Sequence, residues 1–252
     1  MTDAIRRLIA LAAIMAISAC DGESSGGNNQ DSTQGSRARF AMMGDFLYTI
    51  SGDSLQLFDI KNPASPNPWA RVRVEWDIET LFPYNTHLLI GSQSGVHIFD
   101  NTDPANPAYV TEFTHARSCD PVVAESNIAY VTLRSNDNCT GAIGQINQLD
   151  IIDLSDITAP ALIKSYAMQA PSGLAIDGGT LFICDSIAGL KVFDASNPAA
   201  LTVLDIQTDI NCYDVIASGG RLYVSEADQL LQFDYTRFPM TLVSKLATRA
   251  DP

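Results

Sequence analysis

Thiols, imidazoles and a few acidic side chains are the groups with which this chain could do chemistry. After Cys20 come four cysteines, Cys119, Cys139, Cys184 and Cys212, and the histidines are His87, His97 and His115. A tetrahedral metal site needs thiolates or imidazoles at clustered spacing, and no C-x-x-C or grouped histidine occurs. No metal or other cofactor is therefore expected. In an oxidising compartment the four thiols read as disulfides, for which three pairings exist. Glycoside hydrolysis needs two carboxyl groups about 5 to 9.5 Å apart across the scissile bond. Asp120, Asp185 and Asp214 are the candidates for that role. The chain has no H-E-x-x-H and no phosphate-cradling glycine loop.

Charge narrows the partners. The chain holds 29 acidic against 15 basic residues, and formal net charge is -14. Binding to a nucleic-acid backbone rests on Lys and Arg neutralising phosphates, so nucleic acid is excluded as the expected partner.

What must position these groups is a repeated strand. An apolar run ending in aspartate recurs at Leu55 to Asp59, Val96 to Asp100, Leu149 to Asp153, Leu190 to Asp194 and Leu230 to Asp234. The terminal aspartates are 41, 53, 41 and 40 residues apart. A period of about 40 to 45 residues fits a four-stranded propeller blade. Ahead of each aspartate lies an almost continuously apolar strand, such as Leu88-Leu89-Ile90 or Leu181-Phe182-Ile183, written as a strand covered on both faces. After each aspartate comes a turn, often with proline, in which the carboxylate can accept the backbone N–H two residues on. Calcium held by Asp100, Asn101 and Asp103 is the less favoured account, because the feature recurs in every unit. The expected fold is all-β: a five-bladed β-propeller of four-stranded antiparallel blades, with units 37–77, 78–118, 119–170, 171–211 and 212–252. No displaced strand is evident to close the ring. Closure then falls to packing of the first blade on the fifth, or to pairing of the Arg37 to Met42 stretch with the last sheet. An open ring would leave an apolar face exposed.

In such a blade the lead-in to the first strand and the loop between the second and third strands share one rim. Cys119 and Cys212 each stand 11 residues before a second-strand tyrosine, Tyr130 and Tyr223. Cys139 lies in the one long insertion, Ser135 to Gln148, and Cys184 ends a second strand. The expected pairs are Cys119 with Cys139, pinning the insertion, and Cys184 with Cys212, bridging adjacent blades. Trp76, Asp77, Arg117, Asp120, Arg134, Asp185, Tyr213, Asp214 and Glu226 gather on the same rim and form the candidate binding surface, since loops on a rigid scaffold carry most binding.

The units, and most closely the stretches CDPVVAESNIAYVTLRS and LDIIDLSDITAP, resemble the LVIVD repeat of bacterial cell-surface proteins. That resemblance implies a β-propeller and no settled activity. Five-bladed propellers also include glycoside hydrolases, which keeps an enzyme with carboxylates at the channel mouth as the alternative.

At the amino terminus, Arg6-Arg7 and the apolar run Leu8 to Ile17 have the layout of an export signal, too short for a permanent span. Ile17-Ser18-Ala19-Cys20 resembles the lipobox of bacterial lipoproteins, which implies that residues 1–19 are removed and Cys20 is acylated. Residues 20–36 then form a Gly/Ser/Asn-rich disordered tether. The expectation is a non-catalytic lipoprotein of the bacterial envelope, on the outer membrane or the periplasmic face of the inner membrane. Its rim would meet an envelope or extracellular protein or glycan.

Overall fold

The structure is a computed structural model that describes residues 35–74, 78–115, 121–135 and 146–248. Twenty strands form five separate four-stranded antiparallel sheets, each in simple sequential order. Blade 1 is β1 (Phe40–Met43), β2 (Phe46–Ser51), β3 (Ser54–Asp59) and β4 (Asn67–Arg73). Blade 2 is β5 (Ile78–Tyr84), β6 (His87–Ser92), β7 (Gly95–Asp100) and β8 (Ala108–Thr114). Blade 3 is β9 (Val122–Glu125), β10 (Ile128–Arg134), β11 (Asn147–Asp153) and β12 (Ala161–Ala167). Blade 4 is β13 (Leu174–Asp177), β14 (Thr180–Cys184), β15 (Leu190–Asp194) and β16 (Thr202–Gln207). Blade 5 is β17 (Asp214–Ser218), β18 (Arg221–Ser225), β19 (Gln229–Asp234) and β20 (Thr241–Ala247).

The repeated aspartate does in every blade what its spacing predicts. Asp59, Asp100, Asp153, Asp194 and Asp234 each accept the backbone N–H two residues on, at 2.8–2.9 Å. The side chain thereby replaces the ladder bond that ends with the strand and turns the chain outward. Asp103, named beside Asp100 and Asn101, caps its own turn by accepting from Ala105, while Asn101 bonds the Tyr48 hydroxyl. One residue or so before each aspartate, the pairing between third and fourth strands slips by a residue, at Phe58, Phe99, Ile152, Phe193 and Phe233. A bulge there increases the local twist of the outer strand.

Burial falls outward across each blade, from inner strands of β-branched and aromatic residues to an outer strand that is largely exposed; β20 is exposed throughout. The apolar core divides into three clusters. One joins blades 1 and 2 around Tyr48 and Leu88, one runs through blades 2, 3 and 4, and one joins blades 4 and 5 around Phe182 and Leu222. Adjacent inner strands meet in sequence from β1 to β17, which sets the five sheets radially about an axis.

Candidate functional site

The propeller has two mouths. First strands begin, and second strands end, at the one that carries the cysteines. Here Cys184 and Cys212 form a disulfide between the end of β14 and the lead-in to β17, tying blade 4 to blade 5. Next to it, Asp185 is fully buried. It accepts the amides of Gln169 and Ala170 at 2.9 and 2.8 Å and pairs with Lys191 Nζ at 2.6 Å. A carboxylate sealed in apolar surroundings is tolerable only when its lone pairs are filled in this way.

Asp214, at the start of β17, is held by the chain's own beginning. Ser36 Oγ donates to Asp214 Oδ1 at 3.1 Å and accepts the Leu174 amide of blade 4 at 2.8 Å. Two residues on, the Ala38 carbonyl accepts the Leu81 amide of blade 2. The segment Gly35 to Ala38 therefore crosses the axis and fills this mouth. Gly35 and Ser36, expected as the last residues of a tether over 20–36, are buried, and residues 20–34 lie outside the described residues. Both glycines around Asp214 are needed for its seat. A Cβ at Gly35 or Gly173 would stand 2.2 Å from one of its carboxylate oxygens. Burial pushes the Asp214 carboxyl above its ordinary pKa, opposed by bonds from Val215, Ser36 and Arg37. Sequence reading named Asp214 but missed Gly35, Ser36 and Gly173; the only signal was a pair of small-residue dipeptides, Gly35-Ser36 and Ser172-Gly173.

The other rim residues are more open. Tyr213 is 48% exposed, Arg134 ends β10 half-buried, and Glu226 accepts the Asn211 amide at 2.9 Å. Ile187, in a short 3-10 turn (Ser186–Ala188), is 82% exposed beside the disulfide. Cys20, Trp76, Asp77, Arg117, Cys119, Asp120 and Cys139 lie outside the described residues. So does most of the insertion, whose base is closed by Ser135 Oγ accepting the Ile146 amide.

The opposite mouth, built of the hairpins between first and second strands, opens into a cavity of about 830 Å³. Its wall is contributed by blades 2 to 5, with Phe82, Tyr130 and Ile176 below and Ser126, Ser196 and Ser218 around the lip. Interblade clasps ring it. The Tyr84 hydroxyl donates to Asn127 Oδ1, Glu125 accepts the Gly178 and Gly179 amides at 2.9 and 2.7 Å, and Asp177 accepts the Tyr235 hydroxyl. Burial and that last bond hold the Tyr235 hydroxyl far above its usual pKa, and burial, helped by the Glu125 charge, takes Tyr130 up to about 12. The hairpin tips reach this geometry through left-handed residues, Asn85, Ser126 and Asn127 among them. This cavity lies at the mouth opposite the cysteine rim, where the binding surface was expected. Its lining residues are turn formers and strand ends whose types signal nothing but hairpins. Among the described residues, no group of three His, Cys, Asp or Glu side chains could hold a metal ion.

Both mouths belong to a fold with relatives. LVIVD repeats are matched at residues 34–73, 143–168 and 171–208. No curated protein matches the chain. Among solved structures, a functionally unknown protein from Desulfotomaculum acetoxidans superimposes with a TM-score of 0.65 at 11% identity, over 83% of this chain and 69% of that one. A Bacteroides fragilis protein provisionally named a 6-phosphogluconolactonase gives 0.63 at 15% identity, over 82% and 69%. AztD of Citrobacter koseri gives 0.59 at 12% identity, and there the chain spans 61% of the longer protein. At such identities the likeness is one of fold. The matched LVIVD repeats fall on blades 1, 3 and 4, and the chain folds as a β-propeller of five blades.

Proposed function

We propose that this protein is a non-catalytic binding scaffold, anchored in the bacterial envelope through an acylated Cys20, whose hairpin mouth receives a partner's loop or a glycan. The observation that carries this reading is how the two mouths differ. At the cysteine mouth, Asp185 and Asp214 are consumed by the fold: one is sealed with Lys191, the other is capped by Ser36. Both are thus engaged by the fold, whereas glycoside hydrolysis needs two carboxyls free to flank the scissile bond; Asp120 lies outside the described residues. At the hairpin mouth a cavity of about 830 Å³ stands open, lined by hydroxyls and by carboxylates already satisfied by amides and a tyrosine. Such a lining offers hydrogen bonds and an apolar floor, the usual makeup of a ligand site. Its two carboxylates, Glu125 and Asp177, are both engaged in the clasps between blades.

A second reading keeps the binding surface on the cysteine rim, favoured by Tyr213 and Ile187, both exposed next to the disulfide. One experiment separates them. Crosslinking and pull-down from intact cells is run on the native protein, on a Ser196→Trp, Ser218→Trp form that fills the cavity, and on a Tyr213→Ala, Arg134→Glu form. Loss of the partner in the first variant alone supports the hairpin mouth, and loss in the second alone moves the site to the rim. Membrane retention of the Cys20→Ala form through a high-salt wash would refute the anchor. A glycosidase activity abolished by Asp214→Asn in a folded variant would replace the scaffold with an enzyme.

A further inference from the structure

Every sheet-to-sheet interface inside the chain uses the same two positions of the second strand. One side chain points toward the following blade: Tyr48, Leu89, Tyr130 and Phe182, exposed by no more than 3%. Its fifth counterpart, Tyr223, is 36% exposed. The residue before it points toward the preceding blade: Leu88, Ala129, Leu181 and Leu222, exposed by no more than 1%. Its counterpart in blade 1, Leu47, is only half-buried. Leu47 shares a face with Met42 and Phe58 by direct cross-strand pairing, and Phe40 follows one row along. Phe40 and Met42 are 60% and 66% exposed. On blade 5, Tyr223 pairs with Ile216 and Gln232 on the face away from blade 4, and Leu230 pairs with an exposed Leu246. Among the described residues, the three core clusters join blades 1 through 5 in order and leave these two faces uncovered.

We propose that a second copy of this chain covers them head to tail, the outward face of blade 5 in one copy packing on the outward face of blade 1 in the next. The two faces are the complementary halves of an interface this chain already makes four times, so the fit is encoded at equivalent positions. Charge points the same way. Arg37, Arg39, Arg71 and Arg73 cluster at the cysteine-rim end of blade 1, where Asp53 pairs with Arg71 and Arg73 at 3.2 and 3.4 Å and the four arginines still outnumber it. At the matching end of blade 5 stand Asp209, Glu226 and Asp228. Mated as the internal blades are, the basic end of one copy meets the acidic end of the other, which fixes polarity as well as attraction. Such a contact is heterologous, so each copy keeps one free face of each kind unless the assembly closes.

The test is the mass in solution of the Cys20→Ala chain, purified without detergent, by size-exclusion chromatography with light scattering over a wide concentration range. Species of two or more copies that grow with concentration are expected, and Tyr223→Glu and Phe40→Glu should each abolish them. An equimolar mixture of the two variants should recover a species of two copies and nothing larger, because only one sound interface can form. All the substituted side chains are exposed, so the melting transition should be retained; Leu246→Glu and Met42→Glu replace any variant that loses it. A single-copy mass at every concentration overturns the proposal, as does association that survives both substitutions. A mixture that stays single overturns the head-to-tail arrangement.

Discussion

Asp234 shows how much one carboxylate does here. Its Oδ1 accepts the Thr236 amide at 2.9 Å and the Thr236 hydroxyl at 2.6 Å, and its Oδ2 accepts from Arg221. The Thr236 bonds, with help from Arg221, lower its pKa from 3.8 to about 2. A carboxyl whose folded pKa lies below its unfolded one contributes stability that is present above the unfolded value and is lost as pH falls through the folded one. Asp100, Asp153 and Asp194 are lowered in the same direction by their own turns. Melting temperature should therefore fall between about pH 4 and pH 2. The Asp234→Asn protein should start lower at neutral pH and lose less over that window. Asp214 runs the other way: its raised pKa means that ionising it costs stability as pH rises from the ordinary carboxylate range. Asp185 is the costlier residue to remove. Asp185→Ala leaves Lys191, 19% exposed, without its partner and strips two backbone amides of their acceptor. We expect a loss of about 3 kcal/mol in urea unfolding.

At the scale of elements, blades 4 and 5 are joined both by apolar packing and by a covalent bond. The Cys184–Cys212 bridge closes a loop of sequence separation 28. In the chain-entropy account a loop of that length stabilises by about 3 to 4 kcal/mol. The Cys184→Ser, Cys212→Ser protein should lose about that much in denaturant, and reductant should lower its midpoint by less than that of the parent. The same comparison explains which strands were easy to recognise. Second strands such as Leu88-Leu89-Ile90 are apolar on both faces because both faces are covered, and Asp-terminated third strands announce their own turns. The bulge before each aspartate left no mark in composition, since it arises from twist between strands.

For the molecule as a whole, the two faces left uncovered among the described residues predict a gradient of local stability. Interior blades are packed on both sides, terminal blades on one. In native-state hydrogen exchange, amides of β6, β10 and β14 should be the slowest, while β2 and β18 should exchange faster despite the same ladder bonds. Equal protection across all five second strands would contradict the open faces. On association, protection of β2 and β18 should rise toward that of the interior.

The period of the aspartates, the apolar second strands and the Asx/Pro turns were enough to specify five four-stranded blades, because each of those features is satisfied within one unit or against an identical neighbour. For the cysteines, repeat position put all four sulfurs at one rim and left three pairings, and the contact of blades 4 and 5 joins Cys184 to Cys212. Tertiary structure decided what repeats cannot encode. Tyr223 and Tyr48 read alike, yet one is half open and the other sealed, because burial depends on whether another sheet stands in front of it. Gly35 and Ser36 read as part of a polar linker, yet they plug the axis, because Asp214 and Leu174 converge there from blades 5 and 4. The hairpin cavity likewise arises from strand ends brought together by the radial arrangement, and no local signal in any one hairpin foretells it.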